Sequence, residues 1–536
     1  MFQWSCDGGW KSISNSDTSL GKRTRFSLNG INCLHWYSAA KACFASLKQS
    51  CKLSYEEATK PTFMTGITSF GAYIPFYRLT HKEIARAWGG RAGDGERAVA
   101  NVDEDSITMA VEAVRDLLAT GDGREIDGLM FATTTSPYAE KQASALIATA
   151  ADLRNDIRTA DYTTSLRSAT TAILAACDSV KAGSASNIII AAADTRLAPP
   201  KSAGERLFGD AASAIGIGGD RVIANLIANH STVDEMTDVW RREEDRFVTG
   251  WEDRFSVTQG YQRVVRQTVS ELFERSTIGP SQISKAIFYA PDAGTLAATA
   301  KGLGLKAEQI PDHLFASVGN TGAAMSTLVL SSVLEDARPG EKLLVVGYGS
   351  GCDAIIFEVT DEIEKAKSIE GRRGVKGHLA SKANLDSYER YAKFRDLIET
   401  DAARRQAPSA SAALIWRNRD DIYRLHGYRC LNCGKIQYPH QRVCISCQSR
   451  DSFESVRLSE KQAKVFTYTL DYLNADPDPP TVMSIVDFEG GGRAYLQMTD
   501  RNPGDVKIEQ SVEMTFRRLY EAEGFTNYYW KCRPIR

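Results

Sequence analysis

The chain has 536 residues, of which 43% are hydrophobic and 25% are charged, so its composition is that of a globular protein. Its 65 basic and 67 acidic residues nearly cancel, which gives no support to a strongly basic nucleic-acid binder. The length predicts more than one domain, and no apolar run approaches the roughly 20 residues of a membrane span.

Residues 1–63 differ from the rest of the chain. They contain four of the 11 cysteines without metal-ligand spacing, and they show neither a regular apolar period nor the order of a signal peptide. Either this segment is disordered or outside the native product, with translation starting at Met64, or it is an arm that binds a partner. Outside one paired cluster the cysteines are scattered, so we expect no disulfide scaffold and a reducing, cytoplasmic location.

Residues 64–360 alternate between strand and helix patterns. DGLMFATTT and SNIIIAAADT have the apolar runs of buried strands, whereas DSITMAVEAVRDLLAT has apolar residues at helical spacing. DAASAIGIGG and VIANLIANH are expected to be two strands that pair with each other. This alternation predicts one layered α/β domain.

Two segments separate this domain from the C-terminal region. Residues 361–384 are charged, contain glycine and lack a regular period, which is typical of an interdomain linker. Residues 385–425 are expected to form a helical segment, because LDSYERYAKFRDLIE has the pattern of a polar amphipathic helix.

Residues 426–457 contain two CxxC pairs, which lie ten residues apart. Four thiolates on two tight turns are the ligands of a tetrahedral, structural Zn²⁺ site: Cys430, Cys433, Cys444 and Cys447. A redox dithiol is the alternative, but it needs only one CxxC in a βαβ context. Because a four-thiolate site leaves no position open for water, we expect the metal to hold a small fold and to do no chemistry.

Residues 458–536 contain five short alternating runs separated by turn residues, which predicts a small closed β-barrel of the OB type. The YERYAKFRDLI helix, the four cysteines with their YP dipeptide, and the terminal YYWKCRPI resemble the zinc-ribbon/OB-fold domains that accompany thiolase-superfamily enzymes. A zinc ribbon followed by an OB barrel can also bind nucleic acid, but the balanced charge does not favour that partner.

Six motifs in residues 64–360 occur in the order found in the hydroxymethylglutaryl-CoA synthase and ketoacyl-ACP synthase III branch of the thiolase superfamily, which this domain resembles. They are GITSFGAYIPFYRL, NVDEDSITMAVEA, FATTTSPYAEK, LFGDAASAIGIG, SVGNTGAA and GYGSGCDAIIFEV. The resemblance implies a five-layer αβαβα fold, a CoA thioester as substrate, a homodimer and a possible thiolase partner.

Three positions that carry chemistry in the resembled family hold other residues here. The synthase glutamate falls at Thr134, the acylated cysteine at Leu166 and the histidine at Tyr289, whereas the asparagine is retained as Asn320. A leucine cannot attack a thioester, so ordinary synthesis through an acyl-cysteine is in doubt.

The first interpretation is an enzyme that forms or breaks a C–C bond on a CoA thioester without a cysteine nucleophile, by aldol or retro-aldol chemistry. Steroid side-chain aldolases, which have a thiolase fold and associate with this zinc-ribbon/OB family, are the parallel. Tyr289 would be the acid/base if its site lowers its pKa of about 10, and Asn320 would polarise the thioester carbonyl. Alternatively, Tyr289 only packs at the end of its strand.

The second interpretation is a non-catalytic scaffold or CoA-channelling subunit of a thiolase complex, in which an active partner supplies the cysteine. An ordinary acyltransferase of the synthase family is the third, if the alignment of these positions is wrong. A pocket around Tyr289 that admits a pantetheine-sized ligand would favour an enzyme over a scaffold.

Four further features are expected to be structural. Cys177 lies in an apolar register of its helix and is expected to pack in the core, while Ser165 is expected to cap that helix. His313 is expected on the surface of a loop. The glycine-rich GYGSG lacks the lysine and helix of a phosphate loop, and is expected to let the backbone approach the thioester.

Overall fold

The computed structural model describes residues 64–119, 125–367, 371–399, 411–474 and 476–536. The expectations for residues 1–63 therefore lie outside the described residues. Within the described residues, no helix combines the length and the apolar composition that crossing a membrane requires.

The first half of the α/β domain supplies a run of neighbouring strands to the large sheet. In chain order its elements are β1 (Gly66–Tyr73), β2 (Tyr77–Thr80), α1 (His81–Trp88), β3 (Glu96–Val99), α2 (Ser106–Leu118), β4 (Gly128–Thr133), α3 (Ala143–Ala150), β5 (Arg158–Thr163), α4 (Ser168–Lys181), β6 (Asn187–Asp194), α5 (Ala203–Leu207) and β7 (Ala211–Gly218). β4 runs parallel to both β5 and β6, so the carboxyl ends of these three strands lie at one edge.

The second half repeats the order of strands and helices. Its elements are β8 (Ala224–Val233), β9 (Val239–Trp240), β10 (Thr249–Gly250), α6 (Asp253–Phe255), a π-helical turn (Ser256–Gln262), α7 (Arg263–Ser276), β11 (Lys285–Phe288), α8 (Ala293–Gly302), α9 (Met325–Leu334), β12 (Lys342–Tyr348) and β13 (Gly351–Val359). β11 is parallel to β12, and β12, β13 and β8 are antiparallel neighbours.

The two halves form one hydrogen-bonded sheet in the order β11-β12-β13-β8-β1-β7-β6-β4-β5. The prediction that β7 and β8 pair with each other is wrong, because β1 lies between them and meets β8 only at Gly66 and Ile67. α4 and α9 contact strands of both halves, α2 covers β1, β6 and β7, and α7 covers β8 and β13. The chain thus has helical layers outside and between its sheet halves, which confirms the layered α/β prediction.

Residues 361–384 are not an irregular linker. They contain α10 (Glu362–Lys367), α11 (Gly374–Ala380) and β14 (Ala383–Asn384). α11 packs against β1 and α9, its Val375 is fully buried, and the Asp116 carboxylate accepts the backbone N–H of Arg373 at 2.7 Å. Ile363 of α10 is also fully buried, so isolated apolar residues and hydrogen bonds to backbone groups hold the segment, and neither gives a periodic pattern in the sequence.

The C-terminal region contains the three expected parts. The helical segment holds α12 (Tyr388–Phe394), α13 (Ala412–Arg417) and α14 (Arg419–Ile422), and the ribbon consists of β15 (His426–Cys430), β16 (Ile436–Gln437) and β17 (Phe453–Arg457). The closed barrel consists of β18 (Ala463–Asp471), β19 (Thr481–Phe488), β20 (Arg493–Met498), β21 (Ser511–Ala522) and β22 (Phe525–Pro534), in the order β18-β19-β20-β22-β21. Trp530 is fully buried in the barrel core.

The barrel covers the outer face of α2, which is why that helix is buried on nearly all sides. Arg517 on β21 is completely buried and pairs with Asp103 at 3.0 Å, Glu104 at 2.8 Å and Asp500 at 2.5 Å. Arg533 on β22 pairs with Glu112 of α2 at 2.8 Å. Buried ion pairs thus lie between the α/β domain and the barrel.

Candidate functional site

The sequence positions singled out for chemistry follow the carboxyl ends of parallel strands, where α/β folds place their ligand sites. Thr134 follows β4, and Asp194 ends the adjacent parallel strand β6. Leu166 follows β5, and Tyr289 follows β11 in the other half of the sheet. The fold therefore brings these positions, which are distant in sequence, toward one region.

Asp194 is fully buried, and its carboxylate organises the β4 side of this region. The hydroxyls of Thr133, Thr134 and Thr135 donate to it at 2.9, 2.9 and 3.0 Å. The backbone N–H groups of Thr134 and Ala323 donate to it at 2.7 and 2.8 Å. Thr134 is thus held as a hydrogen-bond donor to Asp194 and provides no carboxylate of its own.

Leu166 and Tyr289 pack into one apolar cluster, with Tyr261 and Tyr348 among its other members. Leu166 is 8% exposed and Tyr289 is 5% exposed. The Tyr261 hydroxyl donates to the backbone carbonyl of Tyr289 at 2.8 Å, and the rings of Tyr261 and Tyr348 meet edge to face with centroids 5.2 Å apart. The nucleophile position is therefore occupied by a hydrocarbon side chain beside the tyrosine.

The pKa of Tyr289 is raised above its ordinary value of 10.0. Burial is the largest cause, and the positive charge of Arg196 and the amide of Asn320, which both interact with the hydroxyl, lower the pKa by less than burial raises it. The expectation that the site lowers the pKa of this phenol is therefore wrong. Tyr289 is a neutral proton donor at neutral pH.

Asn320 lies next to Tyr289 and is 1% exposed, but its side chain is engaged with the backbone. Its Nδ2 donates to the carbonyl of Ala290 at 3.0 Å and to that of Pro291 at 3.3 Å, while its Oδ1 accepts from the N–H of Gly322 at 3.0 Å. These bonds tie the loop before α9 to the loop after β11. The amide donors are thus already occupied by backbone carbonyls.

Sequence reasoning missed two polar groups of the site, Arg196 and Asp238. Arg196 is 4% exposed and interacts with the Tyr289 hydroxyl. The Tyr348 hydroxyl donates to Asp238 at 2.8 Å. The sequence contains a signal for Arg196, because this residue lies two residues beyond the buried strand SNIIIAAAD. In α/β sheets, ligands bind at the carboxyl ends of the strands.

The two cysteines of the α/β domain are unsuited to nucleophilic attack. Cys177 and Cys352 are both fully buried, and burial raises the pKa of each thiol to about 12. A thiol with so high a pKa carries almost no thiolate at neutral pH. The expectation that Cys177 packs in the core is confirmed.

His313 is not on the surface of a loop, since it is 3% exposed. Its Nε2 accepts the backbone N–H of Phe288 at 3.0 Å, and burial lowers its pKa to about 4. β11 is the edge strand of the sheet, so this N–H points away from β12 and has no strand partner, and a neutral imidazole satisfies it. His313 is therefore a structural acceptor behind Tyr289.

Glycines let two backbone segments approach the Leu166 position. A Cβ on Gly349 would lie 2.7 Å from Oγ of Ser165, and a Cβ on Gly347 would lie 2.2 Å from Oγ1 of Thr170. Ser165 donates to the carbonyl of Gly349 at 3.1 Å and accepts the N–H of Arg167 at 3.4 Å. The GYGSG loop thus packs against the start of α4. Because α4 has Arg167 at its N-cap and no side-chain cap, the expectation that Ser165 caps this helix is wrong.

The four predicted zinc ligands lie together in the ribbon, on two tight turns. All four sulfur atoms lie within 4.8 Å of one another, and Cys430–Cys447 and Cys433–Cys444 are each separated by 3.6 Å. Two Zn–S bonds of about 2.3 Å at a tetrahedral angle separate sulfurs by about 3.8 Å, so this donor set fits structural zinc.

Comparisons with sequence families agree with this division of the chain. Residues 273–358 match the C-terminal part of 3-oxoacyl-[acyl-carrier-protein] synthase III. Residues 417–454 match the rubredoxin-like zinc ribbon domain of ChsH2, and residues 455–517 match its C-terminal OB-fold domain. The ribbon and barrel predictions are therefore confirmed.

Curated relatives and solved structures cover the α/β domain. The hydroxymethylglutaryl-CoA synthase of Pyrococcus horikoshii is 31% identical over 347 residues, which are 63% of this chain and 97% of the relative. That of Methanocaldococcus jannaschii is 33% identical over 348 residues, covering 63% of this chain and all of the relative. The structure of an HMG-CoA synthase complexed with CoA superposes with a TM-score of 0.55 at 19% identity, over 62% of this chain and 90% of that one. The fold is thus thiolase-like.

Proposed function

We propose that this chain, which belongs to the hydroxymethylglutaryl-CoA synthase family, binds an acyl-CoA and forms or breaks a C–C bond on it without an acyl-cysteine. The relatives are named as HMG-CoA synthases, and solved structures of similar fold contain CoA or 3-hydroxy-3-methylglutaryl coenzyme A. The observation that carries the proposal is that Tyr289 and Leu166 are buried in one apolar cluster, at the two positions where the family resemblance predicts a histidine and a cysteine.

The reaction proposed is aldol addition or its reverse. In cleavage, the β-hydroxyl of a β-hydroxyacyl thioester gives its proton to the Tyr289 phenolate, and the Cα–Cβ bond breaks. The bond electrons go to the thioester as an enolate, and an aldehyde or ketone leaves. The Tyr289 phenol returns the proton to the enolate at Cα, which gives a shorter acyl-CoA and restores the phenolate, so the protons balance and no oxidant or reductant is needed. In the addition direction, the neutral phenol donates that proton to the carbonyl oxygen of the acceptor.

The raised pKa of Tyr289 keeps its phenol protonated at neutral pH, which is the form that donates a proton to the acceptor carbonyl. Cleavage needs the phenolate, so its rate should rise with pH up to at least the ordinary tyrosine pKa of 10.0. The ribbon holds structural zinc, which supports its fold and takes no part in this chemistry.

Turnover of a panel of β-hydroxyacyl-CoAs by wild type and Tyr289→Phe tests the proposal. The variant should lose about 10²–10⁴ of the cleavage rate, the usual worth of a general acid/base, with little change in binding. Its pH-dependent rise should also disappear. Tyr495→Phe, a 63% exposed tyrosine of the barrel, is the matched control and should behave as wild type. Equal rates for wild type and Tyr289→Phe would contradict the proposal.

A non-catalytic scaffold or CoA-channelling subunit is the second candidate. It is favoured by the packing of Leu166 against Tyr289 and by the engagement of Asn320 with backbone carbonyls, which leave fewer free groups for chemistry. On this reading, no β-hydroxyacyl-CoA is cleaved, and a thiolase partner provides the activity. Homodimer formation, a thiolase partner and a cytoplasmic location stay predictions. An ordinary acyltransferase is the least favoured reading, because both cysteines of the α/β domain are buried with raised pKa values.

A further inference from the structure

Arg196 is a buried cation whose charge acts on Tyr289, and one nitrogen of its guanidinium has no partner among the described residues. It is 4% exposed, its Nη1 has no hydrogen-bond partner, and within the described residues it forms no ion pair. Buried charges in proteins are ordinarily paired, because an unpaired charge loses its hydration without compensation. Arg196 therefore has the capacity to bind an anion that the described residues do not supply.

The nearest carboxylate in sequence, Asp194, does not serve as that anion. It is saturated by five hydrogen bonds from uncharged donors on β4 and on the loop before α9. Asp194 and Arg196 thus have separate partners, although only one residue lies between them. Asp194 accepts hydrogen bonds from the threonines, while Arg196 keeps a donor without a partner.

The guanidinium of Arg196 is held in a defined place. Its Cζ lies 4.3 Å from the centroid of the Phe208 ring, a cation–π distance. A Cβ on Gly322 would lie 2.8 Å from Cδ of Arg196 and 2.2 Å from Oδ2 of Asp194. Gly322 also has a φ of +61°, so glycine is required both for its conformation and for the space that Arg196 occupies.

Three other buried arginines, Arg78, Arg97 and Arg501, also have nitrogen atoms without a partner. Arg501 pairs with the Asp478 carboxylate. Arg78 lies 3.7 Å from the Glu96 carboxylate, and Arg97 donates to the backbone carbonyl of Glu205 at 2.6 Å. Both lie near β2 and β3, and neither is among the groups that act on Tyr289. Position beside the candidate acid/base therefore distinguishes Arg196 from them.

We infer that Arg196 binds an oxygen anion at the acyl end of the thioester: the enolate oxygen formed in C–C cleavage, or a carboxylate carried by the acyl group. The inference rests on the proposed function, because it places the acyl end of the thioester beside Tyr289. Asn320 was expected to polarise the carbonyl, but its amide is committed to Ala290 and Pro291. Arg196 has the free donor, and its charge suits an oxyanion better than a neutral amide does.

Two pairs of CoA analogues test this inference by calorimetric binding to the full chain. S-carboxymethyl-CoA resembles the enolate in charge and shape, and S-acetonyl-CoA is its neutral counterpart. Glutaryl-CoA carries a distal carboxylate that pentanoyl-CoA lacks. We expect wild type to prefer the charged member of at least one pair by about tenfold or more, the usual worth of a charge-assisted hydrogen bond. In Arg196→Gln this preference should fall to about one, and in Arg196→Lys part of it should remain.

Lys201→Gln removes a positive charge from an exposed position of the same loop and is the matched control. It should keep the wild-type ratio. A preference only in the first pair identifies the enolate, and a preference in the second identifies a substrate carboxylate. No preference in wild type, or a preference unchanged in Arg196→Gln, would overturn the inference. If the preference depends on Arg196 but no β-hydroxyacyl-CoA is turned over, the anion site stands and the proposed reaction is wrong.

Discussion

Two buried guanidinium groups, Arg517 and Arg196, occupy opposite electrostatic situations in this molecule. Arg517 lies between the α/β domain and the barrel and is surrounded by Asp103, Glu104 and Asp500. Arg196 lies on the loop after β6, its charge acts on Tyr289, and it forms no ion pair with the described residues. The charge at the domain contact is thus neutralised by the chain itself, whereas Arg196 keeps a guanidinium nitrogen without a partner, on which the inferred anion site rests.

This difference separates what holds the molecule together from what it does. A buried ion pair is costly to break, because removing one partner leaves the other without hydration or compensation. An unpaired buried charge costs stability in the free protein and is compensated when an anion binds. The buried ion pairs around α2 therefore stabilise the association of the two domains, and Arg196 keeps its capacity to bind an anion.

The largest expected effect comes from the zinc ribbon, which holds neither kind of arginine. Cys430→Ser or chelation should unfold the ribbon, since structural zinc contributes about 10–16 kcal/mol of apparent binding free energy in small domains. If buried ion pairs hold the barrel on α2, the barrel should stay docked. Hydrogen exchange resolved along the chain is the measurement. Ser446→Ala, at an exposed position of the second turn, should keep the ribbon folded. Release of the barrel together with the ribbon would break the comparison.

The second effect is the removal of the paired arginine itself. Arg517→Ala removes the cation that bridges three buried carboxylates and leaves Glu104 without an ion pair among the described residues, so the free energy of unfolding should fall by about 3–5 kcal/mol. Asp103 keeps Lys531, and Asp500 keeps Arg533 and Arg536. Equilibrium chemical denaturation measures this loss. Arg442→Ala, which breaks an exposed pair with Asp451, should cost much less, because water screens that pair. Similar losses in the two variants would show that burial does not set the value of these pairs.

Acidification tests the same contact through Glu112. Burial alone would raise the pKa of Glu112, but Arg115 and Arg533 lower it from 4.5 to about 2. Because the folded pKa is depressed, the stability that Glu112 contributes is present above pH 4.5 and is lost as the pH falls toward 2. That loss amounts to about 3 kcal/mol. The difference in unfolding free energy between wild type and Glu112→Gln should shrink over this range, and a difference that is constant with pH would contradict the assignment.

The smallest expected effect sharpens the comparison most. Arg196→Gln removes a charge that no described carboxylate compensates, so the unfolding free energy of the free protein should stay within about 1 kcal/mol of wild type. The same denaturation series as for Arg517→Ala provides the value. A loss at Arg196 as large as that at Arg517 would mean that the pocket arginine is structural.

Features that depend on local pattern could be predicted from the sequence. The CxxC spacing specified the ribbon, and the alternation of strands and helices specified the layered domain. The position of β1 between β7 and β8 could not be predicted, since strand patterns do not identify partners. The site was half visible: Leu166 and Tyr289 follow from motif order, but the pairing state of Arg196 depends on side chains that meet only in the fold. The prediction for His313 was wrong because the backbone N–H that its ring accepts lies on the open edge of the sheet, which only the fold shows.

Intact-mass spectrometry after incubation with acetyl-CoA tests most directly the claim that this pocket acts without an acyl-cysteine. Leu166 cannot be acylated, and Cys177 and Cys352 are fully buried with raised thiol pKa values. The predicted result is an unchanged mass of the α/β domain, while S-carboxymethyl-CoA still binds. A gain of one acetyl group, located by peptide mapping to Cys177 or Cys352, would contradict the account and restore the ordinary synthase mechanism.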